Sequence, residues 1–176
     1  MSSNFQPRRG VIAAGHPTTA DAGAQMLRQG GNAVDAAVAA AFVTFIAEYT
    51  LSTVGGGGFA LVYDAAQGKG SLVDFFSAAP GLGQKSGPRA ARHDGDASHS
   101  PGEIDFRQIT VDYGASHQHF YVGRGSVAVP GNVAGLCALA QQAGRLPLPV
   151  LLEPAIHLAR FGCPVSEMQH FISQLI

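Results

Sequence analysis

The spacing of apolar positions changes several times along the chain, and each change marks an element. Gly10 to Ala14 is a short apolar run closed by His16-Pro17, because a residue before proline is held extended; this predicts a strand ending in a turn. Thr18 or Thr19 then caps a helix over about 19–29. Asp21 falls in its first turn, Ala22, Met26 and Leu27 form its buried side, and Gly30-Gly31 stop it. Asn32 and Asp35 repeat the capping logic and open a second helix, through about Tyr49, that is apolar on every side. A helix of that kind belongs inside a layered core.

The period then shortens. Phe59 to Tyr63 and Ser71 to Phe76 read as strands paired across a turn at Gln67 to Gly70, and the first is entered from the glycine run Gly55 to Gly58. From about Gly81 to Gly102 the composition is that of a solvated loop, and the region 81–123 is expected to be variable or flexible. Weak strand signals lie inside it at Ile109 to Tyr113 and Phe120 to Val122; a stronger one, Ser126 to Val129, ends at Pro130-Gly131. Helical periodicity returns with Val133, Leu136, Cys137 and Ala140. It continues with Leu151, Leu152, Ala155, Ile156 and Ala159, despite Pro154, and Gly144 and Gly162 are the expected stops. Ser166 and Gln169 resemble a capping box, followed by an apolar stripe of Phe171, Ile172, Leu175 and Ile176 that is still running at the last residue. Helices and strands mix without the steady rhythm of a parallel sheet, which predicts an α+β chain forming one unit over 1–176.

Composition narrows the partners. With 46% hydrophobic and 13% charged residues the chain can bury a core, and 11 basic against 12 acidic residues give no overall field toward nucleic acid or anionic lipid. Cys137 and Cys163 are isolated, suggesting inert thiols in place of a disulfide scaffold or zinc site. The opening Met1 to Arg9 lacks the apolar stretch of a signal peptide, and the apolar run Ala36 to Val43 is too short for a membrane span. A cytoplasmic product without a membrane segment is therefore expected.

Several residues carry candidate chemistry, each with a plainer reading beside it. Gly55 to Gly58 lacks the Lys and Ser/Thr of a phosphate cradle and leads into a strand, so close backbone approach is the expected use. His16, beside the strand-ending proline, is expected to pack or hydrogen-bond in preference to acid–base work. His117 and His119 with Asp112 and Tyr113 lack a third metal ligand at fixed spacing and read as a solvated loop. Ser2 would become a terminal hydroxyl nucleophile if Met1 were removed, but nothing in the polar leader fixes it. Phe75 and Phe76 are core residues by type.

Gly30-Gly31-Asn32-Ala33-Val34-Asp35, followed by the alanine-rich helix and preceded by Gly15-His16-Pro17, resembles the start of the γ-glutamyltransferase family. Four more blocks follow in order: Gly55 to Asp64, Asp74 to Pro80, Gly125 to Leu136, and Gly144 through Ser166. The resemblance implies a truncated αββα sandwich of an N-terminal-nucleophile hydrolase, this chain being the N-terminal part of the large subunit. It implies transfer or hydrolysis of a γ-glutamyl or related acyl amide, such as glutathione, through a threonine acyl-enzyme. No residue here matches that threonine, and the oxyanion-hole glycines also fall outside the chain, so the chain by itself is expected to be inactive. The implied partner is the missing small-subunit half; no cofactor or metal is implied. Phe76 stands where the family's carboxylate-binding arginine is expected, which opens the way to a less polar acyl group. The alternative is a non-catalytic module or remnant that pairs with a separate chain.

Overall fold

A computed structural model of the chain describes residues 10–80 and 105–175. Ser2, Ile176 and the segment 81–104 lie outside the described residues. Five α-helices and two antiparallel hairpins follow in chain order among them: α1 (Pro17–Arg28), α2 (Ala33–Ala47), β1 (Gly58–Asp64), β2 (Lys69–Phe75), β3 (Arg107–Asp112), β4 (His117–Val122), α3 (Asn132–Ala143), α4 (Leu148–Phe161) and α5 (Glu167–Ser173).

The first helix begins earlier than its threonines suggest. His16 is the N-cap, its Nδ1 accepting the Thr18 N–H at 3.2 Å, and Pro17 takes the first helical position, where its missing N–H costs nothing. Asp21 therefore lies beyond the first turn, and His16, almost fully buried, serves as a cap. In α2 Asn32 is the cap, as expected, and with Asp35 it closes a full capping box. Asn32 Oδ1 accepts the N–H groups of Val34 and Asp35 at 2.9 and 3.0 Å, and Asp35 Oδ2 accepts the Asn32 N–H at 2.7 Å. An all-apolar helix must be covered on several sides, and α2 is: it packs against α1, α3 and α4. Met26, Val38, Val43 and Leu151 are fully buried where these helices meet.

Hairpin β1–β2 lies over this layer in the register Gly58↔Phe75 through Asp64↔Lys69. Its turn reverses at Gly68, whose φ of +62° is open to glycine. Ala60, Val62, Val73 and Phe75 pack on the helical core, whereas Phe59, Leu61, Tyr63 and Leu72 on the opposite face are exposed. Residues 107–122 form a second hairpin, β3–β4, pairing Arg107↔Val122 through Asp112↔His117, so both weak strand signals are realised.

Three further expectations need correction. Gly10 to Ala14 makes no strand: none of its backbone groups is hydrogen-bonded among the described residues, because no other strand lies beside it there. Ser126 to Val129 gives a single 3-10 turn at Arg124–Ser126 and one bridge, Ala78↔Val129, whose two hydrogen bonds are 3.2 and 2.8 Å. The buried face of α3 is Gly135, Leu136, Leu139 and Ala140, leaving Val133 exposed, because Gly135 receives the Phe75 ring.

The last helix is anchored by a polar group. Ser166 caps α5, its Oγ accepting the Gln169 N–H at 3.2 Å, while Gln169 is 2% exposed and its Oε1 accepts the hydroxyl of Thr50 just beyond α2. Phe171 remains exposed and Ile172 half-buried. Replacing Gln169 by leucine removes the acceptor and strands the Thr50 hydroxyl. The expected cost is about 1–3 kcal/mol, read as faster amide exchange across α5 than in the parent.

Candidate functional site

The glycine run Gly55 to Gly58 is the pivot between β1, the end of β2 and the start of α3. Thr53 folds the run back on itself: its Oγ1 accepts the Gly55 N–H and its carbonyl the Gly56 N–H, both at 3.1 Å. The N–H groups of Gly131 and Asn132 both donate to the Gly56 carbonyl at 3.0 Å, and Asn132 Nδ2 donates to the Thr53 carbonyl at 2.7 Å. The N-terminal donors that a helix offers to an anion are thus partly spent on Gly56. A Cβ on Gly57 would overlap the Ser77 nitrogen and lie 2.8 Å from the Phe76 carbonyl carbon, so glycine is needed here for close approach. The phosphate-cradle alternative has no support in this geometry.

The same packing divides the two phenylalanines. Phe75 turns inward, with its backbone against Gly131 and its ring against Gly135. Phe76, one residue on, points the other way and is 61% exposed. Its N–H donates to Asp74 Oδ1 at 2.9 Å, and its ring stacks on Phe59 with centroids 5.3 Å apart and planes 10° from parallel. Asp74 is the cross-strand partner of Phe59, so a carboxylate shares this face with the two rings. Phe59 carried no signal of its own in the sequence; period-two spacing combined with hairpin register is what would have found it.

The other candidates are dispersed. Thr110 Oγ1 and His119 Nδ1 are 3.0 Å apart, and His117 Nε2 lies 3.6 Å from Asp112 Oδ2; both pairs lie on the exposed hairpin β3–β4. Cys137 and Cys163 are free thiols. Two polar groups that sequence reading assigned only to caps or overlooked prove central to the layer. Asp35, fully buried, accepts the Arg145 and Leu146 N–H groups as well as that of Asn32, and Glu48 Oε1 accepts the Thr19 hydroxyl at 2.9 Å. No described helix is long and apolar enough to cross a membrane.

Comparison with known proteins places this geometry. Residues 19–175 match the family described as Gamma-glutamyltranspeptidase. The chain belongs to the gamma-glutamyltranspeptidase family. Acylase ACY 1 proenzyme of Pseudomonas sp. (strain SE83) is 35% identical over 90% of this chain and 26% of its own length. Glutathione hydrolase proenzyme of Bacillus subtilis (strain 168) is 31% identical over 90% of this chain and 24% of its own length. Among solved structures, the gamma-glutamyltranspeptidase from Pseudomonas nitroreducens complexed with L-DON superposes with a TM-score of 0.65 and 30% identity, over 94% of this chain and 43% of that one. The chain therefore spans about a quarter of the length of the acylase and the glutathione hydrolase it matches. Its helices and hairpins are part of the family's α+β sandwich, within the large subunit.

Proposed function

We propose that this chain supplies the acyl-binding part of an amide-cleaving acyltransferase whose threonine nucleophile lies in the remainder of the protein. In that reading the threonine hydroxyl attacks the amide carbonyl, and its proton passes to the threonine's own amine and on to the departing amine as the C–N bond breaks. The acyl ester that remains is released to water or to an acceptor amine. Phe76 stands at the acyl site, and the acyl group is less polar than γ-glutamyl.

The observation that carries the specificity is the exposed, stacked pair of Phe76 and Phe59 at the position where the resemblance calls for arginine. A phenyl ring offers no hydrogen bond to a carboxylate, and the neighbouring Asp74 would repel one. The likeness to a relative named an acylase supports the same direction.

The test compares phenylacetyl and γ-glutamyl p-nitroanilides with the full-length protein. The unaltered protein is expected to prefer the phenylacetyl compound, and Phe76→Arg to shift the kcat/KM ratio toward γ-glutamyl by about 10- to 100-fold, the worth of one charge-assisted contact. A γ-glutamyl preference that Phe76→Arg leaves unmoved would sink the specificity reading; cleavage of neither compound would sink the activity.

A further inference from the structure

The face that carries the two stacked rings also carries charge of a single sign. Phe59 and Asp74 are cross-strand partners, so their side chains leave the same side of hairpin β1–β2, and the pair Leu61 and Leu72 continues that side two residues on. Phe76 joins it by laying its ring on Phe59. Asp74 is exposed and spends one oxygen on its own turn. Its Oδ1 accepts the Phe76 N–H at 2.9 Å, whereas Oδ2 accepts no hydrogen bond, and the carboxylate forms no ion pair, among the described residues. The hairpin's basic residue, Lys69, stands at the turn opposite Asp64, five residues from Asp74, or ~17 Å at the strand rise. The faces of phenyl rings are themselves negative, so the carboxylate and the rings attract the same kind of group.

We infer that this face selects an acyl group that carries an ammonium on an apolar body, with Asp74 as the residue that sets this specificity and Phe59 as a positioning residue behind the Phe76 ring. The inference rests on the proposed function in placing the acyl group at Phe76. Such a group bears one charge where γ-glutamyl bears two of opposite sign, and it is the negative one that this face refuses. An anionic acyl group is repelled by Asp74, and a neutral one gains only apolar contact with the rings and Leu61. A primary ammonium gains more: a charge-assisted hydrogen bond to Oδ2 and attraction to a ring face within about 6 Å. Each contact at so exposed a site is worth about two- to fivefold in affinity. The Asp74 turn adds precision, because the carboxylate that would meet the ammonium also holds the backbone of Phe76 and so ties the charge to the ring.

Binding of small probes to the full-length protein tests this without turnover. Ligand-observed NMR titrations at low salt are expected to show benzylammonium binding at least about fivefold tighter than benzyl alcohol, with phenylacetate weakest of the three. Asp74→Asn keeps an Oδ1 acceptor for the Phe76 N–H and removes the charge. It is expected to bring benzylammonium within about twofold of benzyl alcohol and to leave the affinity for the alcohol unchanged. Phe59→Leu is expected to weaken both ligands by about threefold, and Phe59→Tyr to restore them. Equal binding of benzylammonium and benzyl alcohol by the unaltered protein overturns the inference. So does a preference for benzylammonium that Asp74→Asn leaves intact. A protein that binds benzylammonium through Asp74 but cleaves neither anilide sinks the proposed activity and leaves the cation-selecting face standing; cleavage of the phenylacetyl anilide with no preference for benzylammonium does the reverse.

Discussion

Asp35→Ala is expected to cost about 3–5 kcal/mol, a large share of the usual 5–15 kcal/mol stability of a domain. The carboxylate is fully buried and accepts three backbone N–H groups. Asn32 is held at 2.7 Å, Arg145 at 2.9 and 3.0 Å from the two oxygens, and Leu146 at 3.1 Å. Removing it leaves those donors without an acceptor inside the protein, each at a cost of about 1–3 kcal/mol, and unfastens the start of α2 from the turn between α3 and α4. Asp35→Asn keeps the volume but turns an NH2 group toward N–H donors, so it is expected to recover only part of the loss. The thermal midpoint of the full-length protein measures both. An Asp35→Ala midpoint within about 2 °C of the parent would show that the latch contributes little.

Gly131→Ala and Gly135→Ala are expected to be the next most damaging changes. A Cβ on Gly131 would overlap the Phe75 carbonyl, and one on Gly135 would overlap the Cβ and Cγ of Phe75. Neither obstacle is the end of a flexible side chain, so β2 itself must shift. The expected cost is about 1–3 kcal/mol each, or roughly 2–4 °C in Tm per kcal/mol for a domain of this size. Displacing Phe75 also moves its neighbour Phe76, so acyl preference should change along with stability. Gly70→Ala is the control: its Cβ would meet only the Leu61 methyl, at 4.0 Å, and its Tm should match the parent. Equal behaviour of all three variants would refute close approach as the reason for glycine at 131 and 135.

How much of this was legible depended on whether the signal was local. The cap of α2 is written in four consecutive residues, Asn32 to Asp35, and the structure has Asn32 as the cap, as read; the box read at Ser166 and Gln169 is only half made, because the Gln169 side chain turns to Thr50. The start of α1 was misread because histidine is not a preferred cap, and two threonines stood nearby as better ones; Pro17 at the first position was the overlooked clue. Gly10 to Ala14 has the composition of a strand, yet a strand exists only beside another, and no local pattern reports whether the neighbour is present. The buried face of α3 was displaced by Phe75, and the Phe59–Phe76 stack needs the register of a hairpin; both join segments far apart in sequence. The family motifs located Phe76, but only the packing of Phe75 against Gly135 and the exposure of Phe76 show that the first enters the core while the second faces out.

The latch at Asp35 also has a consequence in time. Its partners Arg145 and Leu146 follow it by 110 and 111 residues, and the Asn32 side chain donates across the same gap to the Ala143 carbonyl. At ribosomal rates of about 5–20 residues per second, the start of α2 waits roughly 5–20 s after its own synthesis before its acceptors and donors are met. During that interval the alanine-rich α2 lacks the cover that α3 and α4 give it in the finished fold. Between the emergence of α2 and that of α3 this apolar surface is thus only partly covered, an exposure set by the order of the sequence and not by the stability of the finished fold.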